Sequence, residues 1–277
     1  MPALPPALIE TLYRAACLAE LDALKVGNVH AYAAGHRMQV SDFVTSAEVS
    51  APALARAGAR VGERVRDGVA ATRAAVGQNT NLGILLLCAP LALAAERGVP
   101  LASVLDALDA DDGAAAFEAI RLAAPGGLGE AGRHDVAAPG RAPPLKEAMA
   151  EAAPRDRIAR AYATDYEDLR RIGAGALARA RDDGLAPPWT TTAVHLAFLT
   201  ALPDSHIARK FGAAKAEAVR DAARAALAGL DLRERPVEAL LAHDALLKTA
   251  GLNPGTSADL TVATLFLDAL SGSGAAL

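Results

Sequence analysis

Aromatic residues are scarce in this chain. They make up 4% of its 277 residues, and alanine and leucine fill the space they leave. Sheets lean on aromatic and β-branched cross-strand pairs, so the shortage argues against a β-rich fold and for close-packed helices. No alternating Val/Ile/Thr/Tyr run of strand length occurs. Cysteine is nearly absent too. Cys17 and Cys88 both sit in apolar helical patterns, where buried free thiols and a reducing cytoplasm are expected. Positive charge is in deficit: 28 Lys and Arg face 32 Asp and Glu, for a net charge of −4. Such a balance offers no basic face for nucleic acid, although local Arg/Lys clusters can still bind phosphates. The opening "MPALPPALIETLYRAAC" has neither a basic n-region nor a long apolar core, so no signal peptide is expected. A long apolar run is missing as well. The uncharged stretch Leu82–Ala95 is interrupted by Pro90 and falls short of the ~20 residues a bilayer needs, so no membrane partner is expected. Nor is there a Gly-x-x-x-x-Gly-Lys-Ser/Thr loop, which speaks against a P-loop nucleotide site.

What remains is an apolar chain, 52% hydrophobic, with helical periodicity almost throughout. Apolar positions recur at helical spacing over Pro6–Lys25, Val44–Ala75, Leu82–Ala95, Leu101–Leu108, Arg155–Arg181, Thr191–Leu202, Ala213–Ala228, Val237–Thr249 and Ser257–Leu270. This pattern predicts an all-α fold: a single multi-helix bundle over residues 1–270, with Leu82–Ala95 as a buried central helix. One break stands out. Ala124–Pro144 holds five glycines and four prolines and predicts a long, mobile loop. The tail at 271–277 is expected to be disordered.

Four stretches interrupt the Ala/Leu/Arg monotony. In "LDALKVGNVHAYAAGHRM" a helix ends near Lys25, Gly27 permits a left-handed turn, and Asn28, His30 and His36 follow. The two histidines lack helical spacing and a cysteine partner, so they read as hydrogen-bonding or acid/base groups, or simply as loop-stabilising ones, rather than as a zinc site. In "GQNTNLGILLL" either Asn79 or Thr80 can cap the helix, and Asn81 falls in its first turn. The stretch is a plain cap or an anion site built on a helix N-terminus. "LPDSHIARKFG" brings Asp204, His206, Arg209 and Lys210 together, either as a solvated helix start or as a phosphate clamp. In "GLNPGTSADLTVATLFL" Thr256 and Asp259 have the spacing of a capping box, while Ser257 and Asp259 also offer a hydroxyl and a carboxylate beside a helix N-terminus. A bundle that gathers these helix ends would form one polyphosphate pocket.

Taken in order, the blocks "LKVGNVH…GH", "GQNTNLGILLL", "ARAYATDYEDL", "PDSHIARKFG" and "LNPGTSADLTVATLFL" resemble the triphosphoribosyl-dephospho-CoA synthase family from about Ala16 to Leu270. The resemblance implies an all-helical enzyme that takes the 5-triphosphoribosyl group of ATP, expels adenine, and joins C1′ to the ribose 2′-hydroxyl of dephospho-CoA. The product is the precursor of the prosthetic group of citrate lyase or malonate decarboxylase acyl-carrier subunits. It places Lys25, Asn28, Asn79, Asn81 and Asp259 in the family's motif blocks. Two blocks depart from the family pattern. Val26 stands for the usual proline and His30 for an acidic residue, and Asp204-Ser205-His206 replaces Asp-Thr-Asn. These departures resemble a branch found in archaea and methylotrophic bacteria, whose tetrahydromethanopterin-type cofactors also carry a ribose 5-phosphate linked to an alcohol. The acceptor is what they put in question.

The implied chemistry assigns work to the candidates. Breaking an N-glycosidic bond builds positive charge at C1′, which Asp204 or Asp259 can stabilise. A general base must take the acceptor's proton, for which His30, His36 or one of the aspartates qualifies. The triphosphate and its Mg²⁺ are expected at Lys25, Asn28, Asn79, Thr80, Asn81, Arg209, Lys210 and Ser257, with Asp259 and Asp204 as metal ligands. ATP and a ribose- or ribitol-bearing alcohol are the expected partners, and a homo-oligomeric state is left open. Two other classes stay in view: nucleotide-dependent phosphoryl transfer or hydrolysis, and a non-catalytic helical nucleotide-binding protein.

Overall fold

A computed structural model describes residues 3–35, 38–125, 136, 141–275 and 277. The fold is all-α, and no strand occurs among the described residues. The first helices are α1 (Pro6–Asp22), α2 (Val40–Leu54), α3 (Val61–Val76), α4 (Leu82–Arg97), α5 (Leu101–Asp106), α6 (Ala110–Ala123) and α7 (Leu145–Ala152). They are followed by α8 (Arg157–Ala163), α9 (Gly175–Asp182), α10 (Trp189–Ala201), α11 (Ser205–Phe211), α12 (Ala213–Leu227), α13 (Val237–Thr249) and α14 (Gly255–Gly272). No helix among the described residues is long and apolar enough to cross a membrane.

The uncharged run sits at the centre as expected. Every residue of α4 from Ile84 to Ala95 is buried, and the helix packs against α3, α14 and α1. Pro90 lies inside it. A proline there has no N–H for the Leu86 carbonyl one turn back. The Tyr162 hydroxyl takes that role, donating to Leu86 O at 2.6 Å, and Tyr166 donates to Leu87 O at 2.8 Å. Two buried phenols thus tie the segment after α7 to the central helix. A second apolar cluster, around Trp189, Leu199, Ile207 and Leu240, joins α10 to α13 and supports α11.

Several boundaries differ from the periodic reading. Val44–Ala75 is two helices, because the chain turns between Leu54 and Val61, where Gly58 takes φ 71°. Arg155–Arg181 is interrupted by left-handed backbone at Asp165 and Tyr166, and a π-helical segment spans Leu169–Ala174 before α9. Helices α7 and α11 are too short, at 8 and 7 residues, to show a periodic run, and α6 escapes the periodic reading although Asp109 caps it and Gly113, Ala116, Phe117 and Ala123 bury one face. The last helix runs on to Gly272, beyond the boundary expected at 270. In the segment expected to be a tail, Ala275 is buried and Leu277 O accepts from Arg170 at 3.1 Å. Most of the loop expected at 124–144, including its expected mobility, lies outside the described residues.

Candidate active site

A cavity of about 980 Å³ opens where the first turns of α4 and α14 approach α11. Glu20 of α1, Asn28 of the following loop and Asp156 before α8 also border it. The polar knot before α4 forms its wall. Helix α3 stops at Gly77, whose φ of 77° ends the helix in a left-handed turn. The chain then reverses, and each polar side chain finds a different partner. Asn79 Oδ1 accepts the Leu82 N–H at 3.1 Å and so caps α4. The Thr80 hydroxyl pairs with that of Ser46 at 2.5 Å. Asn81 donates to Ser50 at 3.2 Å and to Thr72 at 3.0 Å. Capping therefore uses Asn79 alone.

Asp259 stands at the centre of the site. The capping-box reading of Thr256 and Asp259 does not hold, because α14 begins at Gly255, ahead of Thr256, with no side-chain cap. Thr256 Oγ1 accepts the His206 N–H at 3.1 Å instead. Asp259 is left to face the cavity, and no hydrogen bond reaches its carboxylate among the described residues. It rests on the backbone of Gly83: a Cβ built there would lie 2.1 Å from Asp259 Oδ2. This close approach is why a glycine follows the Asn-Thr-Asn block. Burial pushes the Asp259 pKa well above the usual carboxylate range, and the nearby Asp204 and Glu20 carboxylates add to the shift.

Asp204, expected to be catalytic and a metal ligand, has a different job. Its Oδ1 caps α11 through the His206 and Ile207 N–H groups at 2.9 and 3.2 Å. Its Oδ2 accepts the Ser257 N–H at 2.8 Å and the Ser257 hydroxyl at 2.9 Å. Both oxygens are committed, and neither Asp204 nor Ser257 borders the cavity. Burial raises the Asp204 pKa, and these four bonds pull it partly back. The pair staples α11 to α14, so in this structure Ser257 and Asp204, expected as phosphate and metal ligands, are spent on each other and set back from the cavity.

Lys25 and His30 also lie behind the cavity rather than in it. Lys25 is fully buried, its ammonium on Glu20 and, at 3.3 Å, on Asn28 Oδ1. Burial lowers its pKa, and Glu20 counteracts the shift. Asn28 does border the cavity and donates to Asn253 at 2.8 Å. His30 is buried 3.4 Å from Asp244, which also accepts from the Gly27 N–H at 2.8 Å and pairs with Lys248 at 2.9 Å. Burial holds the His30 pKa below its ordinary value. This network pins the Gly27–His30 turn against α13 and leaves no acid/base group facing substrate. His36 lies outside the described residues.

The basic residues gather at the rim. Arg209 and Lys210 border the cavity as expected, and Arg155 and Arg73 join them. Arg209 lies 3.7 Å from Asp156 and 3.3 Å from His206 Nδ1. The cavity thus carries a carboxylate floor, amide walls and a cationic mouth, an arrangement suited to a nucleotide with its phosphates outward. Glu20, Asn253 and Arg155 were missed as candidates. His206 stood in a quoted block without being assigned a role, whereas Glu20 had no signal at all: it reads as a polar face residue of α1.

The comparisons with known proteins bear on the family and the fold. A family model for ATP:dephospho-CoA triphosphoribosyl transferase matches residues 6–276. A solved structure from Archaeoglobus fulgidus, described as a candidate triphosphoribosyl-dephospho-CoA synthase, aligns over 83% of this chain and 99% of its own. The TM-score is 0.61 and the identity 22%, a likeness of fold. No curated protein matches the chain.

Proposed function

The chain belongs to the ATP:dephospho-CoA triphosphoribosyl transferase family, and from that premise we propose that it moves the 5-triphosphoribosyl group of ATP onto dephospho-CoA with release of adenine. The observation that carries the proposal is Asp259. It is a cavity-facing carboxylate with no hydrogen-bond partner among the described residues and a raised pKa, set against the first turn of α4. Its role is to take the proton of the attacking hydroxyl as the bond to C1′ forms, and a raised pKa makes its carboxylate form a stronger base. Glu20, ion-paired with Lys25, adds negative charge at the floor where C1′ turns positive. Arg209, Lys210 and Arg155 bind the triphosphate at the mouth.

Among the described residues, no three His, Cys, Asp or Glu side chains could hold an ion together. Mg²⁺ needs no such cage: it comes with the ATP phosphates, and their oxygens, water and a cavity carboxylate such as Asp259 would complete its shell.

The family departures bear on the acceptor. Val26 and His30 are buried away from the cavity, which favours the family's own acceptor. His206 does border the cavity, and it supports a second reading in which a ribitol-bearing tetrahydromethanopterin precursor is the acceptor. Chromatography of adenine, ADP and AMP after incubation with ATP, Mg²⁺ and each acceptor decides between them. Adenine with dephospho-CoA is the expected result. Adenine only with the pterin precursor selects the second reading. ADP as the sole product rejects ribosyl transfer, and nucleotide binding without turnover on any acceptor leaves a binding protein.

A further inference from the structure

The Asn81 side chain is 4% exposed and borders the cavity, yet its Oδ1 has no hydrogen-bond donor among the described residues. The orientation of the amide follows from the hydroxyls behind it. Ser50 Oγ commits its one proton to the Ser46 carbonyl at 2.6 Å. Toward Asn81, 3.2 Å away, Ser50 can only accept. The NH₂ group must therefore face Ser50 and Thr72, which leaves the carbonyl oxygen bare. A buried acceptor without a donor is costly, so the natural occupant of this corner is a group that donates. Phosphate oxygens carry no proton to give at neutral pH, and Asn81 is consequently no phosphate ligand. Beside it, at the first turn of α4, the Gly83 and Ile84 N–H groups have no acceptor among the described residues. An acceptor next to donors is the complement of an adenine edge, where the 6-amino group adjoins ring nitrogens that accept.

We propose that Asn81 reads the base of ATP: its Oδ1 accepts from the adenine 6-amino group, the first turn of α4 donates to a neighbouring ring nitrogen, and the phosphates lie away from it at the Arg209/Lys210 rim. The inference rests on ATP being the donor substrate. A hydrogen bond from the enzyme to a ring nitrogen also assists adenine as a leaving group, because it offsets the charge that the departing base acquires.

The test is calorimetry with Mg²⁺ on the full chain, using ATP, inosine triphosphate, purine riboside triphosphate (which lacks the 6-amino group), 2′-deoxyATP and inorganic triphosphate. Wild type should bind ATP about tenfold or more tightly than the two analogues without the amino group, the loss set by one unmade buried hydrogen bond. The Asn81→Ala variant should bring these three nucleotides to within about twofold of each other and leave inorganic triphosphate unaffected. Equal wild-type affinity for ATP and purine riboside triphosphate would overturn the proposal, as would discrimination only against 2′-deoxyATP, which would give the donor role to a ribose hydroxyl. A folded Asn81→Ala protein that keeps its preference for the amino group, or loses triphosphate, would overturn it too. If that variant does not fold, the wild-type series decides alone. Failure to bind any nucleotide would end the transferase reading itself, whereas nucleotide binding without a 6-amino preference ends only the assignment to Asn81.

Discussion

Asp204 and Asp259 carry the same side chain, sit in two of the quoted motif blocks and lie close enough for Asp204 to raise the pKa of Asp259, yet the protein treats them in opposite ways. Asp204 accepts four hydrogen bonds and never reaches the cavity. Asp259 accepts none among the described residues and faces the cavity over Gly83. A carboxylate that the fold saturates holds two helices together. One that it leaves open is kept, at a cost in stability, for something that arrives. Strained or unsatisfied groups of this kind concentrate at functional sites.

Substitutions at each corner sharpen the contrast. The largest effect belongs to the saturated corner. Asp204→Ala strips the cap from α11, leaving the Ile207 N–H and both polar groups of Ser257 without their acceptor and the His206 N–H with Thr256 alone, so it should destabilise the chain by about 3–5 kcal/mol. Urea unfolding measures this, and a loss below ~1 kcal/mol would show that the staple is dispensable. Next comes Gly83→Ala. The added methyl collides with the Asp259 carboxylate and displaces it, and a shift on the order of 1 Å costs about 10²-fold in turnover. Steady-state adenine release reads it, with ATP affinity close to wild type as the accompanying expectation.

A smaller effect tests the open corner by pH. The Asp259 pKa is raised in the folded state, so the folded chain holds its proton more tightly than the unfolded one. The stability tied to that proton is present near the unfolded carboxylate pKa, around 4, and is lost as pH rises toward the folded value. Asn mimics the protonated form. Asp259→Asn should therefore melt at least ~2 °C above wild type near pH 8, with the gap closing toward pH 4. A gap that widens on acidification has the wrong sign. The smallest change is at the rim: Lys210→Ala removes one exposed charge, worth less than ~1 kcal/mol, and should weaken ATP binding by no more than about fivefold.

Much of this was legible before any coordinates. The length and uniform apolarity of Leu82–Ala95 sufficed to place α4 in the core, and the Asn-Thr-Asn knot pointed to its first turn as a wall of the site. The clustered cations Arg209 and Lys210 could be read as bordering a site, which they do, although the same cluster also fits a solvated helix start. The division of labour between the two aspartates was not, because it turns on where α14 begins. The spacing of Thr256 and Asp259 fits a capping box, and only the earlier start at Gly255 frees Asp259 for the cavity. Lys25 and His30 misled for a related reason. Their polarity marks function in a loop, but here the partners that neutralise it, Glu20 and Asp244, come from a helix turn before and from α13. The break at Asp165 and Tyr166 has no Gly or Pro to announce it; the Tyr166 phenol bound to α4 holds it in place.

The most direct measurement is adenine release from ATP by Asp259→Asn, assayed with dephospho-CoA alongside wild type at equal concentrations of folded protein. If Asp259 is the reacting carboxylate, release falls at least ~10²-fold while ATP affinity and the melting temperature are retained or raised. Adenine release by the variant at the wild-type rate would contradict that role and return the chemistry to another group of the cavity.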